Sequence, residues 1–152
     1  MTYRTERLLL RTWCEEDIEP FAEMCADPQV MEHFPSLMTR AESAQMVDDI
    51  RDRFHENGFG LWAVEIKARF AGFVGLNRTG PHFTVPFAPC HEVGWRLAPW
   101  AWGNGYASEA AQESLMSRRQ DLDFLHPGTP GWHGAPHVVY SLSAGQWREY
   151  RG

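Results

Sequence analysis

A chain of 152 residues is long enough for one domain that buries about 70% of its unfolded surface, so no disulfide staple is needed. Lys and Arg number 14 against 20 Asp and Glu, and the formal charge of −6 argues against a partner whose main feature is a phosphate backbone, though not against one small phosphorylated ligand. Hydrophobic residues at 43%, charged at 22% and aromatic at 13% describe a folded globule rather than a disordered or coiled-coil chain, with seven Trp as the anomaly.

Cys14, Cys25 and Cys90 show no short paired spacing and read as free thiols of a reducing compartment. The apolar run 8–10 is too short for a signal-peptide core, and no later run approaches the roughly 20 apolar residues of a membrane span. A soluble, cytoplasmic protein with no membrane or nucleic-acid partner is expected.

Residues 7–13, compact, apolar and bounded by charge, predict a first strand. Asp17 then stands as the cap of a helix carrying Ile18, Phe21, Ala22 and Cys25, stopped by Pro28. A loop through Met31, His33, Phe34 and Pro35 leads to Thr39, which with Glu42 forms a capping box for a helix that places Met46, Val47, Ile50 and Phe54 on one stripe and ends at Asn57-Gly58. Residues 59–66 and 70–76 predict a hairpin turning at 67–69, and Gly72 and Gly75 within it signal a bulge or the close approach of another backbone. After a Gly-Pro-aromatic loop at 79–89, residues 91–97 alternate as a strand, with Val93, Trp95 and Leu97 on one face and Glu92, Gly94 and Arg96 on the other. A helix is predicted from Tyr106 to about Arg119. The Pro- and Gly-rich stretch 124–136 precedes a last strand at 137–142, and residues 143–152 form a frayed tail. This order predicts a single α/β or α+β domain over 1–152, its sheet covered by helices.

Chemistry concentrates in HEVGWRLAPWAWGNGYASEAA, residues 91–111, a strand, a Gly- and Trp-rich turn and a helix start. Small residues at Gly103, Gly105 and Ala107 leave backbone N–H groups uncovered at a helix amino end, which suits a phosphate or pyrophosphate, although Gly-Asn-Gly also fits an ordinary turn before a helix. The glycine spacing is not that of a dinucleotide-binding fingerprint, and no Lys-Ser or Lys-Thr pair follows as a nucleotide-hydrolysing loop requires. Glu92, just upstream, is a candidate base that loses solvent and takes a proton from an amine; a salt bridge to Arg96 or a solvated edge position explains it equally well. His126, His133 and His137, with His91 and Cys90, lie across a loop without a rigid element to fix metal ligands, so no metal is expected. Cys90 reads as a buried thiol and not a nucleophile.

Taken together, TERLLLRTW with DIEPFAEMCADPQVMEHFP, GFGLWAVE with FAGFVGL, and HEVGWRLAPWAWGNGYASEAA resemble the GNAT acetyltransferase superfamily, most closely its RimJ/RimL-like N-acetyltransferase branch, from Thr5 to about Leu115. The resemblance implies a GNAT-like α/β fold with a mixed, mostly antiparallel central sheet and flanking helices. It implies acetyl-CoA as cofactor, with the backbone amides of Gly103, Asn104, Gly105, Tyr106 and Ala107 on its pyrophosphate. Trp102 stands where most of the superfamily keeps Arg or Gln. Val93, Trp95 and Leu97 lie on the strand that pairs with the pantetheine arm, with Arg96 at the rim. A primary amine, small molecule or protein amino terminus, attacks the thioester directly through a tetrahedral intermediate, with Glu92 as base and Phe34, Phe83 and Phe87 on the substrate-side walls.

The resemblance stops at about Ser117, where the family continues with a further strand and helix that carry an Asn and an aromatic hydroxyl. Here the chain runs directly into what looks like the closing loop and last strand, as if roughly 30 to 35 residues were absent, so the C-terminal part is expected to be shortened. Tyr106 and Tyr140 are the remaining candidate acids. Two alternatives follow: a catalytically impaired or noncatalytic acyl-CoA-binding domain, or a homodimer that completes the cleft between chains.

Overall fold

The computed structural model describes residues 2–78 and 91–112, together with the backbone of four two-residue strands at 117–118, 124–125, 136–137 and 140–141. The chain begins with β1 (Thr2–Arg4) and β2 (Leu9–Arg11), followed by a 3-10 turn at Glu15–Asp17, α1 (Ile18–Ala26) and α2 (Arg40–Asn57). Then come β3 (Leu61–Ile66), β4 (Arg69–Arg78), β5 (His91–Leu97), a second 3-10 turn (Pro99–Ala101) and α3 (Tyr106–Gln112). All five strands form one antiparallel sheet in the order β1-β2-β3-β4-β5. The expected α/β fold, with a mostly antiparallel sheet and helices on its faces, is what the chain adopts.

Period-two alternation sends each strand's side chains to two cores. Leu8, Leu10, Val64, Ile66, Ala71, Val74 and Leu97 meet Ala101 and Ala110 beneath α3. On the opposite face Trp13, Ala63 and Phe73 pack with Ile18, Phe21 and Cys25 of α1 and Val47 and Ile50 of α2. Trp13 centres this second core, its ring within 5.1 Å of Phe21 and 5.5 Å of Phe70, and its indole N–H donates to the Leu61 carbonyl at 2.8 Å. α2 starts and stops as its residues require: the Thr39 hydroxyl accepts from the Glu42 N–H, Glu42 reaches back to the Thr39 N–H at 2.7 Å, and Gly58 closes the helix at φ +73°.

The β3–β4 register shifts between Val64 and Glu65, so Phe70 and Phe73 fall on the same face despite their odd spacing. Gly72 makes this fit: at φ +125°, a Cβ there would stand 2.0 Å from the Arg96 carbonyl oxygen. The hairpin turns through Lys67 and Ala68, both left-handed at φ 50° and 61°.

Four expectations need correction. β1 extends the sheet before the predicted first strand; its residues are all exposed and carry no buried-face pattern. Asp17 makes no side-chain cap on α1; its carboxylate instead accepts the Cys14 N–H at 2.9 Å and the Arg11 guanidinium. The third helix does not run to Arg119, because Ser117–Arg118 is a strand paired with Tyr140–Ser141. No apolar residue occurs between Met116 and Leu122 to give a helix a buried stripe. The single last strand is instead two pieces, Pro136–His137 beside Phe124–Leu125 and Tyr140–Ser141. The 79–89 loop, Cys90, the helix beyond Gln112 as far as Met116 and the tail at 143–152 lie outside the described residues.

Candidate functional site

β5 ends the described sheet, and among the described residues no strand pairs with its outer edge. From β5 the chain passes directly into the 3-10 turn and the glycine turn. Each step is pinned. The Ala98 N–H donates to the Ala71 carbonyl at 2.8 Å, the Trp102 indole N–H to the Leu97 carbonyl at 2.7 Å, and the Asn104 amide to the Trp102 carbonyl at 2.8 Å. Gly103 and Gly105 sit at φ +73° and +77°, a conformation that favours glycine.

The backbone N–H groups of Gly103, Asn104, Gly105, Tyr106 and Ala107 meet no acceptor among the described residues. Residues 103–105 are exposed, and Tyr106 and Ala107 are partly so. This row of donors fits a pyrophosphate. Trp102, 43% exposed, turns its ring outward while its N–H holds the turn to β5. The neighbouring Trp100 carries the Arg69 guanidinium over its ring at 4.3 Å.

A clamp invisible to local sequence patterns fixes the turn from behind. Glu109 on α3 accepts from the Thr5 hydroxyl, from the Arg7 N–H at 3.0 Å and from Arg7 Nε at 2.6 Å. Arg7 Nη1 donates to the Asn104 carbonyl at 3.0 Å, and its guanidinium lies 4.7 Å from the Tyr106 ring centre. Burial pushes the Glu109 carboxyl up, but the Thr5 and Arg7 donors outweigh it and hold the group below its usual range. The only local trace is the pair of residue types, a Thr-Glu-Arg near the start and a Glu one helical turn past the glycines.

On β5 the predicted faces are observed. Leu97 is buried with the α3 core, while Val93 is half-buried and Trp95 is 52% exposed. Glu92, Gly94 and Arg96 face the α1–α2 side. Glu92 keeps its solvent, contrary to the expected desolvation, because it sits at the strand's first turn beside Asn77, whose amide Nδ2 donates to it at 3.4 Å. Asn77 in turn accepts from Arg53 of α2 at 3.3 Å. The rim position expected for Arg96 is not found, and of the alternatives for Glu92 the solvated edge position is the one observed, with no salt bridge to Arg96. The Arg96 side chain is only 7% exposed and turned into the core, with Nη1 3.0 Å from Cys25 Sγ. Phe34 covers it, ring centre 4.1 Å from the guanidinium carbon. Phe83 and Phe87, the other substrate-wall candidates, lie outside the described residues, as do His126 and His133.

An acetyltransferase (GNAT) domain family model matches residues 7–146. YkkB of Bacillus subtilis (strain 168) is 33% identical over 116 residues, 73% of this chain and 64% of the relative, so the chain spans less than two thirds of that relative's length. The crystal structure of an acetyltransferase from Agrobacterium tumefaciens str. C58 superimposes with a TM-score of 0.64 at 25% identity, covering 92% of each chain. RimL, a ribosomal alpha-N-protein acetyltransferase solved in complex with coenzyme A, gives a TM-score of 0.65 at 12% identity over 92% of this chain and 96% of its own, a likeness of fold alone.

Proposed function

This chain belongs to the GNAT acetyltransferase family, and on that premise we propose that it transfers an acetyl group from acetyl-CoA to a primary amine, as a RimJ/RimL-like N-acetyltransferase. The observation that carries the reading is the row of amides at Gly103–Ala107 that meet no acceptor among the described residues, braced by Arg7 and Glu109 and continuous with the edge of β5 that no described strand pairs. Those amides would hold the cofactor pyrophosphate, and the backbone of Val93, Trp95, Arg96 and Leu97 would pair with its pantetheine arm. Bound acetyl-CoA supplies an activated acetyl group as a thioester.

The protein's own part is proton transfer and orientation. An amine attacks only when uncharged, and Glu92, an accessible carboxylate on the strand that carries the arm, is the group placed to accept its proton directly or through one water. Asn77 holds one carboxylate oxygen through Oε1, leaving Oε2 for the acceptor. The free thiols of Cys14 and Cys25 fit a reducing, cytoplasmic setting, and assembly of two copies around the cleft belongs to the same proposal.

The test is release of free CoA from acetyl-CoA across a panel of primary amines, read with a thiol reagent. Release that requires both components supports the transferase. Saturable CoA binding with no release for any amine would assign the noncatalytic acyl-CoA-binding alternative.

A further inference from the structure

Arg96 is a buried cation that no carboxylate among the described residues pairs with. Arginine stays charged at any pH at which proteins fold, and burying such a charge costs several kcal/mol that an ion pair or full hydrogen bonding normally offsets. Arg96 Nη1 reaches two sulfurs, Cys25 Sγ at 3.0 Å and Met38 Sδ at 3.8 Å. Burial pushes the Cys25 thiol up, so that sulfur offers the guanidinium no counter-charge. Three rings surround the guanidinium carbon, Phe34 at 4.1 Å, Phe73 at 5.6 Å and Phe21 at 5.8 Å. Nε is buried and has no acceptor.

That orphaned Nε matters because it lies on the edge a carboxylate grips side-on, one oxygen to Nε and one to the neighbouring amino group. Access is provided in two places. Phe34 covers one face of the guanidinium from the α1–α2 loop and is itself 36% exposed, so rotation of one side chain opens the site. Gly94, between Glu92 and Arg96 on the same face of β5, leaves a gap: among the described residues a Cβ there would meet nothing within 4 Å. Glu92 and Arg96 stand on either side of that gap, each about 6.6 Å along the strand. With the two residues about 13 Å apart along the strand, a base at one end and a cation with an unfilled donor at the other match a molecule whose amine stands several bonds away from its carboxylate, not one that carries both on a single carbon.

We propose that Arg96 is the acceptor-specificity residue, binding the carboxylate of an acceptor whose amine, at the far end of the molecule, is directed to Glu92. This rests on the transferase reading. Acceptors of this class therefore gain affinity from their carboxylate, and the same amines with the carboxylate capped as an amide lose it.

The experiment is calorimetric titration of the full chain, with CoA present, by L-lysine and a series of ω-amino acids of increasing length and by their primary amides. At least one acid should bind about tenfold or more tightly than its amide. Arg96→Gln should erase the difference, and Arg96→Lys should keep part of it. Where Arg96→Gln fails to fold, Gly94→Val substitutes for it; it fills the gap, leaves Arg96 in place, and should remove acid binding. Acids and amides that bind alike throughout the panel, or a preference that survives Arg96→Gln or Gly94→Val, would overturn the proposal. Because titration with CoA reads binding without turnover, a parallel assay with acetyl-CoA in its place that releases no CoA would remove the transferase reading and leave the carboxylate site to stand or fall on its own result.

Discussion

Arg11 of β2 closes its guanidinium onto Asp17 with two parallel bonds, Nη1 to Oδ2 at 2.6 Å and Nη2 to Oδ1 at 2.8 Å. Asp17 is 2% exposed, and Arg11 also binds Glu65 of β3 at 3.0 Å through Nε. One side chain thereby ties two strands to the turn that launches α1. Arg11→Met should cost about 3 kcal/mol, since it strands a buried carboxylate. Glu65→Gln, which leaves the fork intact, should cost about 1 kcal/mol or less. Urea denaturation of the two variants checks the ordering, and equal losses would refute it.

The same pair sets an acid limit. Burial pushes the Asp17 carboxyl up, but the Arg11 fork, the Cys14 N–H and the Cys14 thiol outweigh it, so the folded group lies below its ordinary 3.8. A carboxyl held lower in the folded state than in the unfolded one contributes stability above its unfolded value and loses it as pH falls through the folded value. Asp17→Asn should therefore destabilise the protein at neutral pH, with the gap to the parent closing only below about pH 3.8. Denaturation midpoints from pH 7 down to 2 show whether the curves converge there.

Lys67 and Ala68 hold left-handed angles that suit Asn and Gly in a two-residue hairpin turn. Ala68→Gly should raise stability by about 0.5–1 kcal/mol although it removes a side chain. A thermal melt that moves downward would mean that the turn differs from the one described.

Glu92→Gln should lower turnover about a hundredfold or more while CoA affinity changes little, because the amide cannot accept a proton. Unchanged turnover would remove Glu92 as base and leave its bond to Asn77 as its whole role.

Glu109→Gln should act on the cofactor from a distance. Losing the charged acceptor for Thr5 and Arg7 releases the glycine turn, so CoA affinity should weaken about fivefold while acceptor affinity stays. Calorimetry with CoA alone reads this directly.

How much of this was legible depended on range. The capping box at Thr39 and Glu42, the Gly58 stop, the alternation from His91 to Leu97 and the bulge signalled by Gly72 are each set by residues a few positions apart, and each is present. Arg96 was misplaced because alternation gives its face but not what covers that face, and Phe34 arrives from 62 positions away. Glu109 leaves only a trace of residue types, since its partners Thr5 and Arg7 lie at the other end of the described chain. Asp17 was assigned a local cap when a stronger partner, Arg11, stood on the preceding strand.

The bond between Arg7 and Glu109 joins residues 102 positions apart, and the β1–β2 turn and the α3 start form one unit only once it closes. Closing so large a loop is entropically late, whereas α2 and the β3–β4 hairpin need only neighbours. On a ribosome the β3–β4 hairpin and α2 can assemble while the glycine turn is still being synthesised, so the turn is braced by Arg7 only after they have formed. Opening is ordered in reverse: hydrogen exchange should release the Glu109 amide, bonded to the Gly105 carbonyl, well before those of Ala63 and Val74.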